Sequence, residues 1–206
     1  MSNRFTGFDQ EARGPWEPGW YGGVIVAEYE KTGDFAAVHR TEDKPTDKGS
    51  RNLKLCVKLV RGKETKDLNY TINYRPEALE ADRLEELKQM RVANKGNQTW
   101  ADRLAQRDNL SLTRLHEIEK AELPLEDNGD GGFDVEALIG KAADFRINVC
   151  KMIADGKGGK ESVTVDKALL HDPNTTDEER SGWFNRITGV AALDSKTNSK
   201  AKAAGK

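Results

Sequence analysis

The chain has 206 residues, with 33 Lys+Arg against 35 Asp+Glu, a formal charge of -2, 36% hydrophobic residues and a mean hydropathy of -0.78. That length fits one domain, or one domain with an insertion, and the polarity leaves room only for a small core. No apolar run approaches the ~18 residues of a membrane span, the first residues lack the apolar segment of a secretory signal, and Cys56 and Cys150 read as buried thiols of a cytoplasmic protein.

Residues 1–19 combine Gly14, Pro15, Pro18 and Gly19 with Phe5, Phe8 and Trp16, which prohibits helix and predicts an extended arm. From Trp20 the texture is β. The run Gly23-Val-Ile-Val-Ala-Glu-Tyr29 is rich in β-branched and aromatic residues and ends near the turn signal Thr32-Gly33-Asp34. Residues 35–38 continue or return that strand, and residues 42–50, with Pro45 and Gly49, read as an exposed loop. The clearest strand is residues 51–60, where Leu53, Leu55, Val57 and Leu59 share one face and Asn52, Lys54, Cys56 and Lys58 the other. After the turn Arg61-Gly-Lys-Glu64, the residues Leu68, Tyr70, Ile72 and Tyr74 alternate with Asn69, Thr71 and Asn73. The two strands predict an antiparallel hairpin with one apolar and one basic face.

At Arg75-Pro76 the period changes to that of a helix, with Leu84, Leu87 and Met90 spaced by three. Asn94-Lys-Gly-Asn97 interrupts it, Thr99-Trp-Ala-Asp102 has capping-box form, and helical spacing resumes until Pro124. Residues 126–133 read as a loop. Alternation then returns in Ala143, Phe145, Ile147 and Val149, in residues 162–166 beyond the turn Gly156-Lys-Gly-Gly-Lys160, and in residues 183–190. The tail, residues 194–206, is basic, lacks aromatic and β-branched apolar residues, and is expected to be disordered. Strands, helices, then strands make a mainly β chain with a helical insertion (α+β). The expected fold is an OB-like five-stranded barrel spanning 20–193, with an enlarged helical connector (76–124) between strands 3 and 4. An α+β sandwich with one helical layer fits the same order.

Motif by motif, chemistry finds little support. The Gly156–Lys160 segment lacks Walker A spacing, and an EF-hand register on Gly131 puts Ala137 where a bidentate Glu is required. No Gly-x-Ser-x-Gly elbow exists, the three histidines are too scattered for zinc, and two short Glu-x-Lys matches lack the rest of a nuclease motif. The expectation is therefore no enzyme, no catalytic or metal-binding residue and no cofactor.

Charge is segmented instead. Residues 31–66 carry ten basic and five acidic side chains, whereas residues 76–136 carry eight basic and fifteen acidic. A polyanion responds to the local field, so a near-neutral chain can own a cationic surface. Lys54 and Lys58 project from one strand face, Arg51, Arg61, Lys63 and Lys66 surround its ends, and Arg146, Asn148, Arg186 and Thr188 share the polar parity of later strands. Cations neutralise phosphates and aromatics stack bases. Possible platforms include Trp16, Trp20, Tyr21 and Tyr70. Tyr70 and Tyr74 also share a face with Leu68 and Ile72, so a place in the core competes for them.

These features resemble the phage-encoded single-stranded DNA-binding proteins of OB type. The resemblance is carried by Pro18-Gly19-Trp20-Tyr21-Gly-Gly-Val-Ile-Val26, by the strand at 53–60 with its partner at 70–74, by the helical connector, by Gly140-Lys141 with residues 145–149, and by Trp183-Phe-Asn185-Arg-Ile-Thr188, over residues 15–193. It implies sequence-independent binding of single-stranded DNA in phage replication or recombination, in the host cytoplasm, beside replication or recombination proteins. By that resemblance the DNA-contacting side chains are Tyr21, Arg51, Lys54, Lys58, Tyr70, Arg146 and Arg186. Arg61 joins them from the basic turn. The basic tail (Lys196, Lys200, Lys202, Lys206) departs from the acidic, partner-recruiting tail many such proteins carry. The competing expectation is a structural or adaptor protein that binds another protein through its helical part, and a nucleic-acid enzyme ranks third.

Overall fold

The computed structural model describes residues 15–31, 36–80, 99–156 and 158–195. The first part of the N-terminal arm, most of the expected first helical stretch and the basic tail from residue 196 lie outside the described residues. Nine strands are described: β1 (Gly19–Val26), β2 (Glu28–Lys31), β3 (Ala37–Arg40), β4 (Glu42–Pro45), β5 (Arg51–Arg61), β6 (Glu64–Tyr74), β7 (Ala142–Ala154), β8 (Lys160–Thr164) and β9 (Trp183–Ala191). Helix α1 (Trp100–Lys120) follows β6, and two short helices, α2 (Lys167–Leu170) and α3 (Asp177–Ser181), precede β9. No helix among the described residues is long and apolar enough to cross a membrane.

Seven strands form one antiparallel sheet. Along it β6 pairs β5, β5 pairs β1, β1 pairs β7 and β7 pairs β9. β4 pairs the start of β5 and β8 the end of β7, each on the side that also carries β1. The expected mainly β, antiparallel architecture is present, and the alternation in β5 and β6 is the alternation seen: Leu53, Leu55, Val57, Leu59, Tyr70 and Ile72 are buried in the core. Burying one such side chain is worth about 1.5–3 kcal/mol. Gly23 lies where β1 crosses this core. A Cβ there would approach Leu59 Cδ2 to 2.9 Å and the Lys58 carbonyl to 3.1 Å, so no larger residue fits without movement.

A closed barrel is not formed. The described residues contain no ladder between β6 and β9, although the two strands lie side by side. Side chains hold the seam instead. At one end Lys66 Nζ donates to Asn185 Oδ1 (2.7 Å), and at the other α1 takes the place of a closing strand. There Ser111 Oγ donates to the Asn73 carbonyl (2.5 Å), and Arg107 bonds the Asn73 side chain. The helix begins where the capping box predicts, with Thr99 Oγ1 accepting from Asp102 N (3.2 Å) and Asp102 Oδ2 accepting from Thr99 N (2.9 Å). Its buried face, including Ala105, Leu115 and Ile118, packs into the core.

One sequence expectation fails locally and another is resolved. Residues 42–50 are not all exposed loop: β4 pairs β5, because Asp43 is drawn inward by Arg51 and Tyr74 while Pro45 sits at the strand end, where its missing N–H is tolerated. Of continuation and return, the two expectations for the segment beyond the turn signal, the return is seen, outside the main sheet. β2 and β3 form a separate two-stranded hairpin, based on Thr41, whose Oγ1 donates to the Val26 carbonyl (2.6 Å) and accepts from Cys56 N (2.9 Å).

Candidate nucleic-acid interface

The eight expected contact residues separate into four places. Arg51 and Tyr70 are interior, which corrects their assignment as DNA contacts. The Arg51 side chain is 8% exposed. Its Nε donates to Asp43 Oδ1 (3.3 Å) and its Nη1 to the Asp130 carbonyl (3.2 Å), and the guanidinium lies where a Gly132 side chain would be. Asp43, fully buried, also accepts from Tyr74 Oη (2.5 Å) and Phe133 N (2.7 Å). Tyr70 is 2% exposed, and burial, reinforced by the nearby Glu117 charge, pushes its hydroxyl up to about 12. Neither can meet a strand of nucleic acid.

Tyr21 and Arg61 form a second group, at the β5–β6 turn end. Tyr21 lies on the inner side of β1, opposite Phe145, and its Oη donates to the Glu17 carbonyl (2.8 Å). Its ring packs against Trp16 at 5.3 Å, and Arg61 Cζ lies 4.6 Å from the Trp16 ring centre. Arg61 is also paired with Glu64. Trp16, expected as a possible base platform, is buried: both its backbone N and its carbonyl bond the Asn185 side chain, each at 2.7 Å. This group fastens the arm to the domain.

Lys54 and Lys58 do share the outer face of β5, but that face is not an open platform. The β2–β3 hairpin crosses its middle. His39 stacks on Tyr29 at 4.8 Å and accepts from Asn69 Nδ2 at Nδ1 (3.1 Å), while Asn69 Oδ1 accepts from Cys56 Sγ (3.6 Å). Cys56 shares the lysines' parity and, as expected of a buried thiol, is fully buried there. Burial, with Lys54 and Lys31 nearby, lowers the His39 pKa, and burial raises that of Tyr29. Lys54 Nζ is 3.0 Å from Glu42, which also pairs Lys44, and Lys58 stands opposite Asp67 in the ladder. Val38, Arg40, Glu42, Lys44 and Lys54 line an open cleft of about 290 Å³. Arg40 and Lys44 were not singled out from the sequence, although they belong to its most basic stretch.

Arg146 and Arg186 make the fourth group, exposed on the outer face of β7 and β9. Neither side chain has a hydrogen bond or ion pair among the described residues. Asn148 stands opposite Arg186 and Trp20 opposite Arg146, so an aromatic, an amide and two guanidinium groups share one surface. Among the described residues no group of three or more His, Cys, Asp or Glu could hold a metal ion. No protein-family model, curated protein or solved structure resembles the chain closely enough to count as a match.

Proposed function

We propose that this protein binds single-stranded nucleic acid without chemical turnover, as an OB-like domain. The observation that carries the reading is the strand succession. β1 lies between β5 and β7, β9 lies beyond β7 and beside β6, and a helix joins β6 to β7. With β1, β5, β6, β7 and β9 as strands one to five, that is the succession of the partly open OB barrel, an architecture suited to oligonucleotides. The β2–β4 segment and residues 155–182 then occupy the loop positions between strands one and two and between four and five. The resemblance to phage single-stranded DNA-binding proteins supports single-stranded DNA as the ligand, in replication or recombination.

The test is fluorescence anisotropy of labelled oligonucleotides of about 30 nucleotides, longer than the ~4–16 that one OB fold covers. Binding is expected to weaken steeply with salt and to favour single over double strands. No binding at low salt would overturn the reading. It would favour the adaptor alternative, which has its own observation: Leu110 is 53% exposed on α1, beside a shallow hollow lined by Arg103, Gln106 and Arg107.

A further inference from the structure

We propose that the nucleic-acid strand lies on the β1–β7–β9 face, with Trp20 as the base platform and Arg146 and Arg186 as the phosphate contacts, and not on the lysine face of β5. The inference rests on the single-strand-binding reading and says where the strand is held.

Three observations meet at one row of the sheet. Trp20, Arg146 and Gly189 are successive cross-strand partners on β1, β7 and β9. A Cβ placed on Gly189 would lie 3.7 Å from Trp20 Cη2 and 3.7 Å from Arg146 Cβ. The indole therefore reaches across β7 to the strand beyond, lying along the sheet with Gly189 beneath its far edge. Trp20 is partly exposed in this pose, and the uncovered part of its indole is the surface assigned to a base.

The second observation is a β-bulge between Arg146 and Ile147. Ile147 faces Ile187 while Arg146 faces Gly189, so Thr188 is the extra residue, its Oγ1 donating to the Arg146 carbonyl (3.4 Å). Without that slip Thr188 would stand opposite Arg146, in the space under the indole. Bulges of this kind re-aim side chains and are concentrated beside functional sites. The third observation is charge. Arg186 is the diagonal neighbour of Arg146, on the order of 7–8 Å away. Both are exposed, and no carboxylate is paired with either among the described residues. Two carboxylates border the face, Asp144, buried two residues before Arg146, and Glu117 of α1, whose Oε2 also lies 3.7 Å from the Gly189 Cβ position. The lysine face, by contrast, is crossed by its own hairpin and has Lys54 engaged by Glu42.

The experiment compares anisotropy titrations of a single-stranded oligonucleotide across a salt series for the full chain, Trp20→Leu, Trp20→Phe, the pair Arg146→Gln/Arg186→Gln, and the pair Lys54→Gln/Lys58→Gln, each checked for folding by circular dichroism. Losing one stacked base weakens binding by about 5- to 150-fold, so Trp20→Leu should do so while Trp20→Phe recovers part of the loss. Losing two phosphate contacts should flatten the slope of log affinity against log salt by about 1.4. The lysine pair should leave both quantities unchanged. If the lysine pair flattens the slope and the arginine pair does not, the proposed face is wrong while single-strand binding stands. If the unaltered chain does not bind, both fall.

Discussion

Replacing Asp43 by alanine tests the interior assignment of Arg51 most directly. The substitution removes the acceptor of three donors, Arg51 Nε, Tyr74 Oη and Phe133 N, and leaves a guanidinium that is 8% exposed with only Asp130, itself 70% exposed, as ionic partner. Breaking a buried pair by removing one member costs about 3–5 kcal/mol, and the remaining contact to Asp130 places this case near 3. For a chain of this size each kcal/mol shifts Tm by about 2–4 °C, so a fall of about 6–12 °C is expected. Urea unfolding and thermal circular dichroism measure it. The double variant Asp43→Ala/Arg51→Met removes the stranded charge as well and should recover part of the loss. A single-variant loss below about 1 kcal/mol, in the range of an exposed pair, would refute the reasoning. So would a double variant as unstable as the sum of its parts. Arg51→Met should also leave oligonucleotide affinity unchanged wherever the variant is folded, which separates a structural arginine from a phosphate contact.

Asn185→Ala should unfasten the arm: it removes the side-chain partner of both backbone groups of Trp16 and one acceptor of the Lys66 ammonium, with an expected loss of about 2–3 kcal/mol and a red shift of tryptophan emission. Gly23→Ala should cost about 1–3 kcal/mol in urea unfolding, since the added methyl presses on Leu59, Phe145 and the Lys58 carbonyl. His39 gives a pH dependence. Its folded pKa lies below the unfolded value of 6.5, so the hairpin contact contributes fully above that value and weakens as pH falls from it toward the lowered folded pKa. Nuclear magnetic resonance shifts of β2 and β3 amides between pH 7.5 and 5.5 should follow that titration, and His39→Ala should abolish it. Glu117→Gln removes a negative charge beside the Trp20 row and should tighten oligonucleotide binding, read by anisotropy.

The strands with period-two alternation were legible because one face of each is buried. Leu53 to Leu59 and Phe145 to Val149 needed only that pattern, and Thr99 with Asp102 marked the start of α1. What the pattern could not carry is which outer faces remain open. Lys54, Cys56 and Lys58 share one parity, yet a hairpin formed by residues outside the main sheet covers the middle of the three. Arg51 has the parity of the apolar face and is buried by it, which alternation alone could have flagged. Its buried partner, Asp43, lay in a stretch whose Pro45 and Gly49 suggested a loop. Tyr70 was ambiguous in sequence because the same ring serves a core or a base, and its neighbours on β6 decided for the core. The bulge opposite Arg146 has no local signature, so the link between Trp20 and Gly189 becomes visible only in three dimensions.

The unpaired seam gives β1 a part that no other described strand shares. It supplies the main-chain ladder between the β4–β5–β6 side and the β7–β8–β9 side, and its two partners are far apart in the chain. During synthesis β1 can zip onto β5 early, while its other edge waits, unsatisfied, until β7 emerges. Such distant pairing is slow, and an exposed edge invites the wrong neighbour in the interval. Shortened chains that end before β7 should therefore aggregate more readily than the 206-residue chain, measured by light scattering at matched concentration.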